Sequence, residues 1–263
     1  MKGVIFYYSG TGNTALASRY VARHLPIPFD VVDVTKAVDI DLEGVDIVGF
    51  ATSTDFWGVP HALETYIEGL PPQDHKPAFV INTFGALSGQ TLRILAEQVA
   101  AKRFDVLAGH SLRTPESYPP MIAGKMAAPN APGKRELAGL DSFISELAAL
   151  VGAVGEGRHV EGLKPRIGLV NSLVPRRQRT TARDDMGEKH LDASLCTECG
   201  ICERLCPYGA IRLEPKPVFD MTKCYGCWRC YNRCPEHAIY TSKFRGGPFY
   251  HGPSKLLKEK LGA

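Results

Sequence analysis

The sequence predicts an α/β fold with a doubly wound parallel sheet in its first part, followed by a second, small α+β domain built around cysteines. Short continuous apolar runs alternate with amphipathic stretches of helical period, which is typical of parallel strands covered by helices on both faces. All eight cysteines of the 263 residues lie between Cys196 and Cys234. They form two copies of one spacing, which indicates a separate metal-binding unit.

Five apolar runs account for the predicted sheet. They are Val4–Tyr8, Phe29–Val34, Asp46–Ala51, Ala78–Thr83 and Phe104–Ala108. Helical periodicity follows each strand, and Leu137–Val151 forms the last helix. Right-handed crossovers between parallel strands place a ligand site at the carboxyl ends of the strands. Residues 111–136 hold five prolines and two glycines and are predicted to form an irregular loop near that edge.

Changes in composition divide the chain into four segments. Residues 1–151 form the α/β domain, and 152–187, rich in glycine, proline and arginine, form a connector. The cysteine domain covers 188–245, and 246–263 form a basic C-terminal tail that we expect to be solvated. The alternative interpretation of this last segment is a short amphipathic basic helix that binds anionic lipid.

The cysteine spacing is that of a pair of [4Fe–4S] clusters. Each copy reads C-x-x-C-x-x-C-x-x-x-C-P, and the second copy lies 28 residues after the first. In this pattern the fourth cysteine binds the cluster of the other copy. One cluster is therefore assigned Cys196, Cys199, Cys202 and Cys234, and the other Cys224, Cys227, Cys230 and Cys206. Zinc sites combine two C-x-x-C pairs across a longer gap, so a third evenly spaced cysteine followed by Cys-Pro does not suit zinc.

Charge and hydropathy limit the partners and the cellular compartment that we expect for this protein. Residues 164–263 hold 18 Lys or Arg against 10 Asp or Glu, a net charge of +8, and residues 1–163 hold 13 against 18, a net charge of −5. The basic half either compensates the anionic clusters or docks an acidic redox partner. We expect no transmembrane segment, no nucleic-acid partner and a cytoplasmic address, where reducing conditions favour metal ligation over disulfides.

A phosphate-binding loop follows the first strand. It consists of Ser9, Gly10, Thr11, Gly12, Asn13 and Thr14. Glycines let backbone N–H groups curl around an anion, hydroxyls add donors, and the helix that follows contributes its N-terminal dipole. Since no lysine follows, the pattern is not that of a nucleotide-hydrolysing loop. The alternative interpretation is a helix cap that happens to be rich in glycine.

With the preceding Tyr8, this loop resembles the FMN phosphate loop of flavodoxins, and the whole chain resembles flavodoxin–ferredoxin fusion proteins of anaerobic bacteria and archaea. The resemblance implies a five-stranded sheet of order 2-1-3-4-5, FMN and two [4Fe–4S] clusters. It also implies two loops that sandwich the flavin ring, with Trp57 or Phe56 stacking on it and backbone groups near Gly58 and Gly85 tuning it. The matching residues are Thr52, Ser53, Thr54, Phe56, Trp57 and Gly58 after the third strand, and Thr83, Phe84 and Gly85 after the fourth.

These features predict an electron-transfer protein that passes single electrons between FMN and the clusters and on to redox partner proteins. The alternative is an FMN-dependent reductase of a small acceptor, such as a quinone or nitro compound, in which the 111–136 loop helps to bind the substrate. The sequence shows no catalytic acid–base set and no second nucleotide fingerprint, which favours the carrier. Trp228, Tyr225 and Tyr231 stand between cluster ligands and are interpreted as shields against water.

Overall fold

The computed structural model describes residues 1–36, 41–158, 160–162, 165, 167–176 and 181–262. They form one five-stranded sheet with helices on both faces, and a small cysteine-rich unit with two two-stranded sheets. The predicted connector at 152–187 falls partly outside the described residues, at 159, 163–164, 166 and 177–180. Its described part holds the end of a long helix and two short helices.

The large sheet has the predicted order. Its strands are β1 (Gly3–Tyr7), β2 (Phe29–Asp33), β3 (Ile47–Ser53), β4 (Lys76–Phe84) and β5 (Phe104–Arg113). They lie in the order β2-β1-β3-β4-β5, and every neighbouring pair is parallel. This confirms the flavodoxin-like doubly wound fold. β5 extends five residues beyond the predicted end, because its polar continuation still pairs with β4, where Ser111 Oγ donates to Asn82 Oδ1 over 2.5 Å.

Helices cover both faces of the sheet. Those of the first part of the chain are α1 (Asn13–His24), α2 (His61–Gly69), α3 (Thr91–Ala101), α4 (Pro119–Ala123) and α5 (Lys134–Gly155). Successive residues of a strand point to opposite faces. Ile5 therefore packs in the core with α1 and α5, and its neighbour Phe6 in the core with α2 and α3.

Among the helices that the structure describes, only α5 is long and apolar enough to cross a membrane by length and composition, with a mean hydropathy of 1.6. We expected no such segment. In the structure α5 lies on the sheet, and its buried side chains belong to the core around Ile5. They include Leu140, Phe143, Leu147 and Val151. An amphipathic core helix meets the same criterion, so the feature is weak evidence for a membrane span.

The prediction of irregular structure over 111–136 is wrong in three places. β5 runs through Arg113, the short helix α4 lies in the middle, and α5 begins at Lys134. Prolines permit this because α4 carries them at its first two positions, where a backbone N–H has no helical partner to lose.

The cysteine-rich unit is built from two matching halves. After the short helix α6 (Leu169–Ser172) come α7 (Thr181–Met186), β6 (Lys189–Leu191), α8 (Ile201–Arg204), β7 (Ile211–Glu214), β8 (Lys216–Phe219), α9 (Arg229–Arg233) and β9 (Ile239–Thr241). β6 pairs with β9 and β7 with β8, both antiparallel. The 28-residue offset maps one pairing onto the other: Leu191 opposes Ile239 as Phe219 opposes Ile211.

The C-terminal segment is not a solvated tail, and this expectation is wrong. Helix α10 (Lys255–Lys260) returns to the first domain, where Leu257 and Leu261 are buried in the same core as α1 and α5. Arg23 Nη2 also donates to the carbonyl of Leu261 over 2.7 Å. Two leucines one helical turn apart form an apolar stripe, and burying that stripe outweighs the hydration of the neighbouring lysines.

Candidate functional site

One pocket lies at the carboxyl edge of the large sheet, where the strand order reverses between β1 and β3. The loops after β1, β3, β4 and β5 all border it, and so does a turn of the cysteine-rich unit. Each of the three loops predicted from the sequence therefore reaches the same space.

The first loop forms a preorganised turn. The Gly12 N–H donates to Ser9 Oγ over 3.0 Å, and Gly12 has φ 112 where α1 begins. A Cβ at Gly12 would also lie 2.9 Å from Pro253 Cδ, so this position requires glycine for both conformation and space. Of the predicted phosphate-loop residues, Gly12 does not line the pocket. The others line the pocket: Ser9, Gly10, Thr11, Asn13 and Thr14.

Neighbouring elements hold this loop in place. Thr14 Oγ1 shares a hydrogen bond of 2.9 Å with Thr83 Oγ1 at the end of β4. Asn13 Nδ2 donates to the carbonyl of Pro115 over 3.0 Å, and the Tyr250 hydroxyl donates to Asn13 Oδ1 over 2.7 Å. The phosphate loop is therefore fixed partly by the segment that follows the cysteine-rich unit, a support that the sequence did not indicate.

The loop after β3 carries strained aromatic residues. Asp55 and Gly58 exchange two backbone hydrogen bonds of 3.0 and 2.9 Å, which closes a two-residue turn. Phe56 and Trp57 occupy that turn with φ 43 and 65, a conformation costly for bulky side chains. Both line the pocket, as do Ser53 and Thr54. Thr52 is fully buried behind it, and Gly58 closes the turn without lining the pocket.

The loop after β4 contributes Thr83, Phe84 and Gly85 as predicted lining residues. A Cβ at Gly85 would collide with the carboxylate of Glu116, so the loop after β5 packs tightly on it. Glu116 accepts from the backbone N–H groups of Ala86, Ser117 and Tyr118 at 3.3, 2.8 and 3.0 Å. One carboxylate therefore ties the two loops together.

Sequence reasoning missed several residues of the pocket. From the first domain these are Tyr8, Asp55, Pro60, Leu87, Thr114, Pro115, Glu116, Ser117, Tyr118 and Met121. From the cysteine-rich unit they are Gly226, Cys227 and Trp228. The Pro- and Gly-rich composition of 111–136 pointed to the members at 114–121 only as a segment, without naming residues. No sequence pattern placed the second group against the sheet.

The first predicted ligand set surrounds its own cavity. Cys196, Cys199, Cys202 and Cys234 all line one small, almost wholly apolar cavity. Cys234 comes from the other half of the repeat, as cross-ligation requires. In the described part of the chain no three such side chains converge on a single metal ion. A cubane does not need that convergence, because each cysteine binds a different iron.

The second set lies deeper. Cys224 and Cys230 are buried, and Cys227 faces the pocket. Burial raises the pKa of the Cys230 thiol, and so do the nearby thiolates of Cys224 and Cys206, whereas Lys189 lowers it. Burial likewise raises the pKa of Cys227 to about 12.

A buried lysine accompanies the second set. Lys189 is 8% exposed, and its Nζ donates to Cys224 Sγ over 2.9 Å. Burial alone would lower the pKa of Lys189. The charges of three cysteines raise it above the ordinary value, and the effect of Cys230 is larger than those of Cys224 and Cys227. The 28-residue offset maps Lys189 onto Pro217, which lines the first cavity. Among the described residues that line the first cavity, none is basic, so this buried charge acts on the second site.

Backbone donors support the cysteines symmetrically. Ala210 N–H donates to Cys206 Sγ and Ala238 N–H to Cys234 Sγ, both over 3.3 Å. These two alanines are 28 residues apart, so the fourth ligand of each set receives the same hydrogen bond. Such bonds to sulfur stabilise the reduced state of an iron–sulfur cluster.

The residues present fit the implied cofactors. Eight cysteines supply the thiolates for two cubanes. The pocket joins an anion-binding loop to aromatic walls, as FMN requires. Within the described residues, the Tyr8 hydroxyl and Trp228 Nε1 are buried without a hydrogen-bond partner, and both residues line this pocket. A ring that carries acceptors would satisfy such donors.

Comparison with known proteins places the cysteine-rich unit in a family. Residues 195–238 match the family model for the 4Fe-4S dicluster domain. The pyruvate synthase subunit PorD of Methanocaldococcus jannaschii is 41% identical over 51 residues, which are 19% of this chain and 59% of that protein. The polyferredoxin protein MvhB of Methanothermus fervidus is 39% identical over 44 residues, 17% of this chain and 11% of that protein. The chain thus spans less than two thirds of the length of either relative.

Solved flavodoxins are similar to the first part of the chain at low identity. A flavodoxin from the domain Archaea is 15% identical, with a TM-score of 0.44, and the match covers 58% of this chain and 99% of that one. A flavodoxin of Streptococcus pneumonia TIGR4 is 19% identical, also at 0.44, covering 57% and 99%. The fold assignment rests on the strand order rather than on these scores. The chain therefore joins an α/β domain with the flavodoxin-like strand order to a 4Fe-4S dicluster domain.

Proposed function

We propose that this protein is an electron carrier in which FMN and two [4Fe–4S] clusters exchange single electrons within one chain. FMN takes up two electrons and releases them one at a time, and each cluster carries one. The observation that carries the proposal is the position of Cys227, a ligand of the second set. It lines the same pocket as the phosphate loop and the aromatic turn at Phe56 and Trp57.

The burial of the cysteines suggests an order for the path. The second set borders the pocket through Cys227, and its members Cys224 and Cys230 are buried. The first set lies farther out, and Cys199 is exposed to solvent. An electron would therefore pass between the pocket and the second cluster, then between the two clusters, and leave or enter through the face around Cys199.

Redox proteins are the proposed partners of that face. The two curated relatives are named as a subunit of pyruvate synthase and as a polyferredoxin, which supports exchange with other redox proteins. The net charge of +8 in residues 164–263 favours an acidic partner. If so, the rate of electron exchange with an acidic ferredoxin falls steeply as ionic strength rises, whereas a basic cytochrome shows the opposite trend.

The cofactor content is the first test. Anaerobically purified protein should hold about eight irons, about eight sulfides and about one FMN per chain, with the corresponding visible absorbance. Zinc in place of iron, or a complete lack of flavin after reconstitution, would contradict the proposal.

Turnover separates a carrier from a reductase. The loaded protein should relay electrons between redox proteins without a saturable rate towards quinones, nitro compounds or NAD(P)H. The pocket favours this outcome because Trp228 and Tyr118, which come from two different segments, occupy part of its wall and pack on each other there. A defined KM for one of the small acceptors would instead identify a reductase, with residues 114–121 as part of its substrate site.

A further inference from the structure

Trp228 stands where the repeat otherwise places glycine. The 28-residue offset maps Gly200 onto Trp228, and both residues start a short helix with left-handed backbone, at φ 68 and 57. Glycine adopts this conformation freely, whereas a tryptophan is strained in it. The cluster turn therefore forms without a side chain at this position, as Gly200 demonstrates in the other half. The presence of a tryptophan at this position must therefore have a cause other than the formation of the turn.

The offset pairs two further positions of positive φ. Glu198 corresponds to Gly226, and Gly209 to His237. At Gly226 the reason for glycine is space, since a Cβ would lie 2.5 Å from the carbonyl carbon of Ala182. Both halves therefore have left-handed backbone at these positions, whereas the residue type at each position depends on the neighbouring atoms. The tryptophan at position 228 should likewise be explained by the groups that surround its side chain.

The indole ring is held rigidly. It makes edge-to-face contacts with Tyr118, Tyr231 and Phe244, with ring centroids 5.8, 5.2 and 5.9 Å apart. Only 4% of Trp228 is exposed. Tyr118 belongs to the first domain, so the ring is clamped between the two domains. Such packing fixes the direction of the indole N–H.

That N–H has no acceptor in the described part of the chain. Trp228 Nε1 is buried and unpartnered, although tryptophans usually satisfy this group when they are buried. The residue nevertheless lines the pocket that holds the phosphate loop and the strained turn at Phe56 and Trp57. Two unfavourable features therefore meet at Trp228: a left-handed backbone, which glycine would adopt without strain, and a buried N–H donor without an acceptor.

We infer that Trp228 is a flavin-contacting residue supplied by the ferredoxin domain, whose indole N–H donates a hydrogen bond to an acceptor on the isoalloxazine ring. The inference rests on the proposed binding of FMN in this pocket. Because Cys227 precedes Trp228 directly, the same turn would bind the second cluster and the flavin. Trp228 thereby acts as a positioning residue that holds the ring against the cluster side of the pocket.

The test uses the full chain with both clusters loaded and FMN removed, titrated anaerobically with FMN and followed by flavin fluorescence. Trp228→Phe keeps an aromatic ring but lacks the N–H, and should weaken FMN binding roughly tenfold. Trp228→Gly restores the residue of the other half and should weaken it by about a hundredfold. Iron and sulfide content should stay at the wild-type level in both variants.

Tyr231→Phe is the matched control. Tyr231 is 1% exposed, packs on Trp228 and accepts a hydrogen bond from Gly247 N–H over 3.0 Å, but does not line the pocket. It should leave FMN affinity unchanged. Equal affinity in wild type and Trp228→Phe, or equal weakening in Trp228→Phe and Tyr231→Phe, would overturn the inference. Wild-type protein that retains its clusters but does not bind FMN would instead refute the proposed function.

Discussion

Replacing Lys189 with methionine should lower the midpoint potential of one cluster and leave the other unchanged. Lys189 is 8% exposed and donates to Cys224 Sγ over 2.9 Å, so its charge acts on the second cluster with little screening. A positive charge stabilises the added electron. Methionine has nearly the same length and leaves no unpaired donor, and Cys224 keeps the backbone N–H of Gly226 at 3.4 Å. The variant should therefore fold and assemble both clusters.

The magnitude follows from Coulomb's law. Two unit charges about 4 Å apart interact by about 4 kcal/mol at an effective dielectric constant of about 20. The added electron is spread over a cluster whose centre lies beyond the sulfur, so we take about half, or about 2 kcal/mol. For a one-electron couple this corresponds to roughly 90 mV. Pro217 stands at the matching position of the first site, so Lys189→Met should leave the potential of the first cluster unchanged.

The assay is an anaerobic redox titration of both clusters by electron paramagnetic resonance. Lys223→Met is the matched control, since Lys223 adjoins the same cysteine but is 61% exposed and ion-paired with Asp220 at 3.7 Å. Its shift should be about 20 mV or less, as expected for a solvated charge. If Lys189→Met shifts neither cluster, raises a potential, or only matches Lys223→Met, the reasoning about the buried charge is refuted.

Three further predictions concern the C-terminal segment and the sheet. Leu257→Ala should lower the free energy of unfolding of the α/β domain by about 2–4 kcal/mol, measured by urea titration. Leu256 is 39% exposed, so Leu256→Ala should change this free energy by less than about 0.5 kcal/mol. Equal effects of the two variants would contradict docking of α10. Tyr250→Phe removes the hydroxyl that donates to Asn13 Oδ1, and should weaken FMN binding about threefold to tenfold in a fluorescence titration. Unchanged affinity would show that the phosphate loop does not need this hydrogen bond. Burial lowers the pKa of His110 to about 4, so the unfolded chain binds the proton more readily than the folded chain. This contribution to stability is present above about pH 6.5 and is lost towards pH 4, by up to about 3 kcal/mol. His110→Phe should flatten this part of the stability profile, and an unchanged slope would assign it to other groups.

The sheet could be predicted because its signals are local. Each strand is a continuous apolar run, and the helices between them show the 3.6-residue period, so β1 to β4 lie within two residues of their predicted bounds. The end of β5 could not be predicted, because Gly109, His110 and Ser111 are not apolar and enter the strand only through pairing with β4. In the same way α4 depends on prolines at the start of a helix, a place that composition alone does not reveal.

The arrangement of the domains lies beyond local signals. An apolar stripe such as Leu257 and Leu261 predicts that some surface will cover it, but not which surface. The pocket likewise brings together Cys227 and the phosphate loop, which lie more than 200 positions apart in the sequence. One part of the site was within reach of the sequence: aligning the two cysteine repeats places Trp228 opposite Gly200 and marks it as unusual.

The most direct test of the account is the rate of electron transfer between the flavin and the clusters after a light pulse reduces the flavin. Trp228 and Cys227 border the pocket of the same chain, so cluster absorbance should bleach with a first-order rate that does not change as the protein is diluted. A rate that falls in proportion to protein concentration, or clusters that stay oxidised while the flavin remains reduced, would contradict transfer within one chain.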